Sequence, residues 1–180
     1  VDSSRRLSIW VWLFTIGLII PLFIYAGPLR LSVYRLVLIA AFFPALWFFL
    51  SGRAGRFRLP DIAIFVICLW STVSLAAVHG LGSMVETIGI LWIETLGAYL
   101  LGRCYIRTPE AFFAFLRLLF WLAALVAPFA FYELYTGPSP ILKVFDQIGS
   151  TYPEAPQEGR LGFERVQGPF AHPIHFGVLF

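Results

Sequence analysis

Long apolar runs separated by short polar stretches set the pattern of this chain. Runs over residues 7–25, 31–50, 62–79, 84–102 and 111–135 each come close to the roughly 20 residues an α-helix needs to cross a bilayer. They are continuous rather than alternating, so membrane helices are predicted and barrel strands are not. Pro21, Pro44 and Pro128 fall inside the first, second and fifth runs, where helices in lipid accommodate proline by local readjustment, Pro21 as a kink. The expected fold class is all-α: a polytopic transmembrane helix bundle of five complete spans over residues 1–135, a polar loop over 136–172, and the start of a sixth span over 173–180.

The polar punctuation orients these spans. A short AGPLR connection, Ala26 to Arg30, joins the first two, and Arg53, Arg56 and Arg58 follow the second. With Arg103 and Arg107 after the fourth span, the positive-inside rule puts these arginines and the N-terminus in the cytoplasm and the 136–172 loop outside. Thr108, Pro109 and Glu110 form a helix-start signal for the fifth span: a hydroxyl cap, a proline at the first helical position and an acid in the first turn. Within the loop, Ser139-Pro140 is a second start signal. Ile141, Leu142, Phe145 and Ile148 then fall largely opposite Lys143, Asp146 and Gln147, predicting a short amphipathic helix at the membrane surface that Gly149 ends.

Composition agrees with this picture. Hydrophobic residues make up 59% of the 180 residues and charged ones 13%, with mean hydropathy +0.83, more apolar surface than a soluble core of this size hides. The net charge of +3 comes from arginines at span ends, so it reports topology and implies no nucleic-acid partner. Cys68 lies inside a span and Cys104 at the end of another, which suggests neither a disulfide nor a metal framework. Val1 is not an initiator methionine and the last apolar run stops after a few residues, so the sequence reads as the N-terminal part of a longer protein. Arg5-Arg6 precede a run too long for a signal-peptide core, which predicts a first membrane helix and not a cleaved leader.

Several polar side chains invite a function. Glu94 is near the middle of the fourth run, where a carboxylate turns into the bundle as a paired or protonated structural group or lines a substrate path; Glu86, Gly89 and Gly97 share its side. Arg117 is placed to snorkel toward the interface, and His79 sits at a span end. Glu133, at the outer end of the fifth run, either faces solvent or holds an arginine of the loop such as Arg165 or Arg160. The chain's most distinctive stretch is RVQGPFAHPIHFG, from Arg165 to Gly177. Here Gly168 allows a close backbone approach, Pro169 and Pro173 fix φ, and Arg165 offers a forked cation suited to phosphate. His172 and His175 either shape the entry to the next helix or act as a general base.

This stretch resembles the Arg-x-x-Gly-x-Phe-x-x-Pro signature that precedes a membrane helix in O-antigen ligases and related polysaccharide polymerases, matched here by Arg165, Gly168, Phe170 and Pro173. Upstream, FYELYTGPSPI from Phe131 to Ile141 is similar to the end of the preceding span in that family. The resemblance implies a multi-pass bacterial inner-membrane enzyme that transfers or polymerises glycans (O-antigen, capsule or exopolysaccharide) carried on polyprenyl pyrophosphate. Its partners would be that donor, a glycan or lipid acceptor and membrane lipids, with no cofactor or metal. Arg165, Gly168, His172 and Glu133 are the substrate-binding candidates. His172 is a weak candidate for the catalytic base, which the family carries in a later external loop, so residues 1–180 alone are expected to be inactive. The alternatives are a transporter of a small or lipid-linked substrate, suggested by prolines within spans and by Glu94, and a non-catalytic scaffold.

Overall fold

The structure, a computed structural model, describes residues 7–27, 29–154 and 165–179. Four of its helices are long and apolar enough to cross a membrane: α2 (Val33–Leu50), α3 (Leu59–His79), the fourth span Met84–Tyr105, and α6 (Pro109–Thr136). Only 6% of the most apolar window of α3 is buried, and Phe65, Trp70, Val73 and Val78 point outward along it. An apolar surface of that extent requires lipid or further protein around it. The chain divides into two compact units, one holding the start to Phe14 with Arg35–Phe113, the other Thr15–Tyr34 with everything from Ala114 onward.

In the first unit, α3 turns at Gly80, whose φ of 79° suits a residue without a Cβ, into α4 (Leu81–Leu91). The fourth span then widens into a π-helical stretch, Trp92–Gly97, before resuming as α5 (Ala98–Tyr105). Trp92 Nε1–H donates to the Thr72 hydroxyl at 2.8 Å, and that hydroxyl donates to the Cys68 carbonyl at 2.8 Å, tying the two spans together. The core of this unit is Ala45, Phe49, Ala54, Leu100 and Cys104, with α2 against α5. Pro44 and Pro128 are each carried inside an unbroken helix, as expected.

Helix α6 opens as the sequence predicts, Thr108 Oγ1 accepting the Ala111 N–H at 3.2 Å with Pro109 as the first helical residue. Most of its length belongs to the second unit, where it is followed by α7 (Pro140–Asp146) and α8 (Pro173–Leu179). Along α7, Leu142 is buried while Lys143, Asp146 and Gln147 are exposed. Ile148, assigned to the apolar side, is 70% exposed, because the helix ends at Asp146, short of Gly149.

The first expected span is not one continuous helix. Helix α1 covers only Ile9–Leu18. Its end tightens as Ile19 and Ile20 donate to Ile16 and Gly17, and Pro21 has no N–H to continue the ladder. The chain then forms a hairpin, β1 (Phe23–Ala26) paired antiparallel with β2 (Leu29–Ser32). Phe, Ile and Tyr favour extended backbone, and Gly27, at φ 63°, supplies the turn. The hairpin is anchored by an antiparallel bridge from Leu22 to Thr151 and by the Phe23 N–H to the Ser150 carbonyl at 3.1 Å. Arg30 lies over the rings of Phe23 and Tyr152, 5.4 and 5.2 Å from their centroids. The 22–32 connection and the loop after α6, assigned to the same side by sequence, therefore touch. Arg5 and Arg6 lie outside the described residues.

Cysteines at Leu22 and Thr151, in a background without Cys68 and Cys104, are expected to cross-link on mild oxidation, since bridge partners have Cα atoms about 4.5–5.5 Å apart, within disulfide reach. A continuous helix over residues 7–25 would carry position 22 away from Thr151, and the reduced species alone would then be seen by mass spectrometry.

Candidate functional site

The loop singled out by sequence is fastened to the end of α6 by one carboxylate. Glu133 is 2% exposed. Its Oε1 accepts the N–H groups of Gln167 and Gly168 at 2.6 and 3.2 Å, and its Oε2 accepts the Gly168 N–H at 3.1 Å. Successive backbone N–H groups of this kind form a concave anion site, and here the protein's own carboxylate fills it. The Ser139 hydroxyl, expected to cap α7, donates to the Gly168 carbonyl at 3.1 Å, and α7 has no side-chain cap. Gln167 Nε2 donates to the carbonyls of Pro153 and Phe170 at 3.0 and 2.8 Å. Three stretches, 133–139, 153 and 167–170, are thus joined through buried and part-buried hydrogen bonds.

Gly168 is required twice over. Its φ of 58° lies in the left-handed region, and a Cβ there would meet the Phe176 ring at 2.8 Å. The close approach inferred from sequence is an approach to α8 and to Glu133. Pro169 is buried, and the Phe170 and Phe176 rings meet edge to face at 6.2 Å.

Of the four predicted site residues, Glu133 and Gly168 are in direct contact. Arg165 is half-buried two residues before the clasp. The sequence offers Glu133 two states, facing solvent or holding Arg165 or Arg160. In the structure it is buried and its carboxylate is taken by backbone amides, while Arg160 lies outside the described residues. The amides prevail because they are buried donors that need a partner and arrive already oriented by the turn, whereas a guanidinium must be immobilised to do the same. His172 is exposed, its Nδ1 accepting the Ile174 N–H at 3.2 Å, so it caps the start of α8. His175, also exposed, stands 6.4 Å from it, ring to ring. Next to the clasp is an apolar cavity of about 320 Å³ lined by Ala123, Ala127, Ala130 and Leu134 of α6 together with Val166 and Phe176.

Two further polar clusters lie in the first unit. Glu94, within the π-helical stretch, accepts from Arg35 Nε at 2.7 Å, so its carboxylate is paired. Asp61, whose side chain is 1% exposed, accepts the Arg58 N–H at 2.6 Å, the Tyr99 hydroxyl, and Arg103 Nε at 3.1 Å. In the sequence Asp61 is legible only as a residue at a helix start. Its spacing to Arg58 carries that much, but its partners 38 and 42 residues away leave no local signal. Arg35 escapes sequence reasoning for a similar cause, since an arginine two residues into a helix looks like an interfacial anchor. Arg117 and His79 are exposed.

Gly168→Ala is expected to lose about 1–2 kcal/mol from the left-handed backbone alone, with the clash at Phe176 in addition. It should lower the thermal midpoint in detergent and speed proteolysis between residues 150 and 175. Adding Phe176→Leu should recover part of the loss. Full stability of Gly168→Ala would mean that the clasp is not formed as described.

Comparison with protein-family models, with curated proteins and with solved structures finds no match to this chain.

Proposed function

We propose that this chain is part of a bacterial inner-membrane enzyme, similar to O-antigen ligases and polysaccharide polymerases, that transfers or polymerises saccharides carried on polyprenyl pyrophosphate at the periplasmic face. The observation that carries this reading is the clasp. A carboxylate at the end of a membrane-length helix immobilises the turn two residues after Arg165, beside an apolar cavity that includes Val166. An arginine carried one residue before the lining of an apolar cavity, on a loop held in place two residues further on, suits a lipid with a phosphate head, the guanidinium binding phosphate oxygens through its planar fork. Glu133 is then a positioning residue for the loop, with Gly168 as the turn that makes the position attainable.

In the proposed reaction an acceptor sugar hydroxyl attacks the anomeric carbon of the donor glycan. The new C–O bond forms as the bond to the pyrophosphate oxygen breaks, the hydroxyl proton passes to a base, and Arg165 stabilises the charge gathering on the leaving phosphate. His172 is the base candidate within this stretch; its Nδ1 accepts the Ile174 N–H, which puts the neutral ring's proton on Nε2, so it can take a proton only when Nδ1 is released from that bond. The topology that accompanies this reading has the N-terminus and the arginines at 53–58 and 103–107 in the cytoplasm.

A transporter is the second reading, and the Arg35–Glu94 pair, with its carboxylate on a π-helical stretch, favours it, since such distortions recur at functional sites and intramembrane ion pairs mark pathways. Carrier-linked glycan turnover in vesicles without an ion gradient separates the two.

In cells lacking the native gene and complemented with the full-length protein, Arg165→Lys is expected to lose glycan transfer substantially and Arg165→Ala almost completely, after normalising to protein in the membrane. A headgroup anchor would behave differently: lysine would suffice and alanine would cost only about 1 kcal/mol. Full transfer by both variants would remove Arg165 from the chemistry.

A cysteine at Ser150, again without Cys68 and Cys104, should react with an impermeant maleimide in cells whose inner membrane is intact. Labelling only after that membrane is permeabilised would invert the topology and move the site to the cytoplasm.

A further inference from the structure

The arginine-rich end of the first unit holds two adjoining cavities of opposite character. One, about 380 Å³, is lined by Arg58, Arg103 and Arg107 with Ala54, Pro60 and Tyr99. The other, about 460 Å³, is lined almost wholly by apolar groups, among them Phe42, Phe49, Phe57, Phe65 and Trp92, and again by Tyr99. Tyr99 is therefore a shared wall, with its hydroxyl on Asp61. We propose that the two together bind an anionic phospholipid, its phosphate among the guanidinium groups and an acyl chain in the aromatic cavity.

The three arginines are not equivalent. Arg103 is held in place by donating from Nε to Asp61 at 3.1 Å, from one terminal nitrogen to the Ala54 carbonyl at 2.6 Å, and from the other to the Arg56 carbonyl at 3.0 Å. Its charge is offset by Asp61, and two of its five N–H groups remain for a ligand. Arg107 donates once, to the Arg53 carbonyl at 2.7 Å, and lies over Phe48 with its carbon 6.0 Å from the ring centroid. Among the described residues neither Arg107 nor Arg58 has a carboxylate partner. The polar cavity thus carries two uncompensated cations beside one neutralised and immobile one. Planar guanidinium groups, two of them held by backbone carbonyls, match a phosphate diester through paired N–H···O bonds.

The apolar cavity decides between a free phosphate and a lipid. Phe57 and Phe65 are 64% and 49% exposed, so it opens along the outer surface of α3, where an acyl chain can enter sideways. A water-soluble phosphate would make no use of it. Basic pockets at the ends of membrane helices are where anionic headgroups bind. The same loop supplies an internal control: Arg53 and Arg56 add two positive charges but their side chains line neither cavity. This inference concerns a different part of the chain from the Arg165 loop and stands or falls separately from the proposed reaction.

The test uses the full-length protein in neutral detergent, titrated with phosphatidylglycerol, phosphatidylcholine or free glycerol phosphate and read by native mass spectrometry. Phosphatidylglycerol should bind about tenfold or more tightly than phosphatidylcholine, and glycerol phosphate far more weakly than either. The pair Arg58→Gln and Arg107→Gln should remove most of that preference, whereas Arg53→Gln and Arg56→Gln should leave it within about twofold. Thermal midpoints in phosphatidylcholine serve as the check that each pair folds. If the affected pair fails that check, Arg58→Gln alone, at an exposed residue whose side chain ties no carbonyl in place, should still halve the preference or more. Equal losses from both pairs would reduce the effect to general surface charge and overturn the site. So would no preference for phosphatidylglycerol, or glycerol phosphate binding as tightly as the lipid.

Discussion

A carboxylate on an apolar helix has no water to accept from, and whatever donors it uses must come from the protein. Asp61, Glu94 and Glu133 each meet this constraint with different donors. Asp61 takes a backbone N–H at the start of its own helix, a tyrosine hydroxyl and an arginine. Glu94 takes an arginine from another span. Glu133 takes two consecutive amides of a loop. Each choice fixes a different part of the chain: the loop from α2 to α3, the place of the π-helical stretch beside α2, and the turn at Gly168. Remove any one carboxylate and buried donors elsewhere lose their acceptor, so the cost falls on segments distant in sequence.

The same requirement explains the hairpin after α1. Pro21 ends the helical ladder, and the extended residues beyond it need partners for every N–H and C=O. Antiparallel pairing of Phe23–Ala26 with Leu29–Ser32 supplies them on one side. Leu22, Ser150 and Thr151 supply them at the hairpin's open end. Prolines inside α2 and α6 have no such effect: each stays within one continuous helix.

That contrast marks what sequence reveals here. Length and apolarity identify α2, α3, the fourth span and α6, and the Thr108-Pro109 signal locates the start of α6 because capping chemistry is local. The residue 7–25 run has the same apolarity, and nothing local separates a proline kink from a proline stop when the deciding partner, Thr151, lies near the other end of the chain. The candidate site divides in the same manner. Gly168 is legible as a point of close approach, since a glycine between a polar residue and a proline lets the backbone come near a partner. That Glu133 takes the Gly168 amide in place of the Arg165 side chain is not legible, because sequence exposes side-chain charges and hides the backbone donors that a turn creates.

Arg103, near the end of α5, and Arg107, just after it, meet the converse need, carbonyls that lack donors. As bare charges they do no more than bias orientation, a task lysine performs equally well. In the structure Arg103 and Arg107 span from the end of the fourth span to the carbonyls of Ala54, Arg56 and Arg53, three acceptors that the turn between α2 and α3 leaves without helical partners. A guanidinium donates in two or three directions at once while staying charged; an ammonium at the same place would reach one carbonyl and lose most of the geometry. Arg103 and Arg107, expected from sequence to bias orientation, therefore also close the arginine-rich end. The choice of arginine over lysine follows from the carbonyls that need donors, not from the sign of the charge.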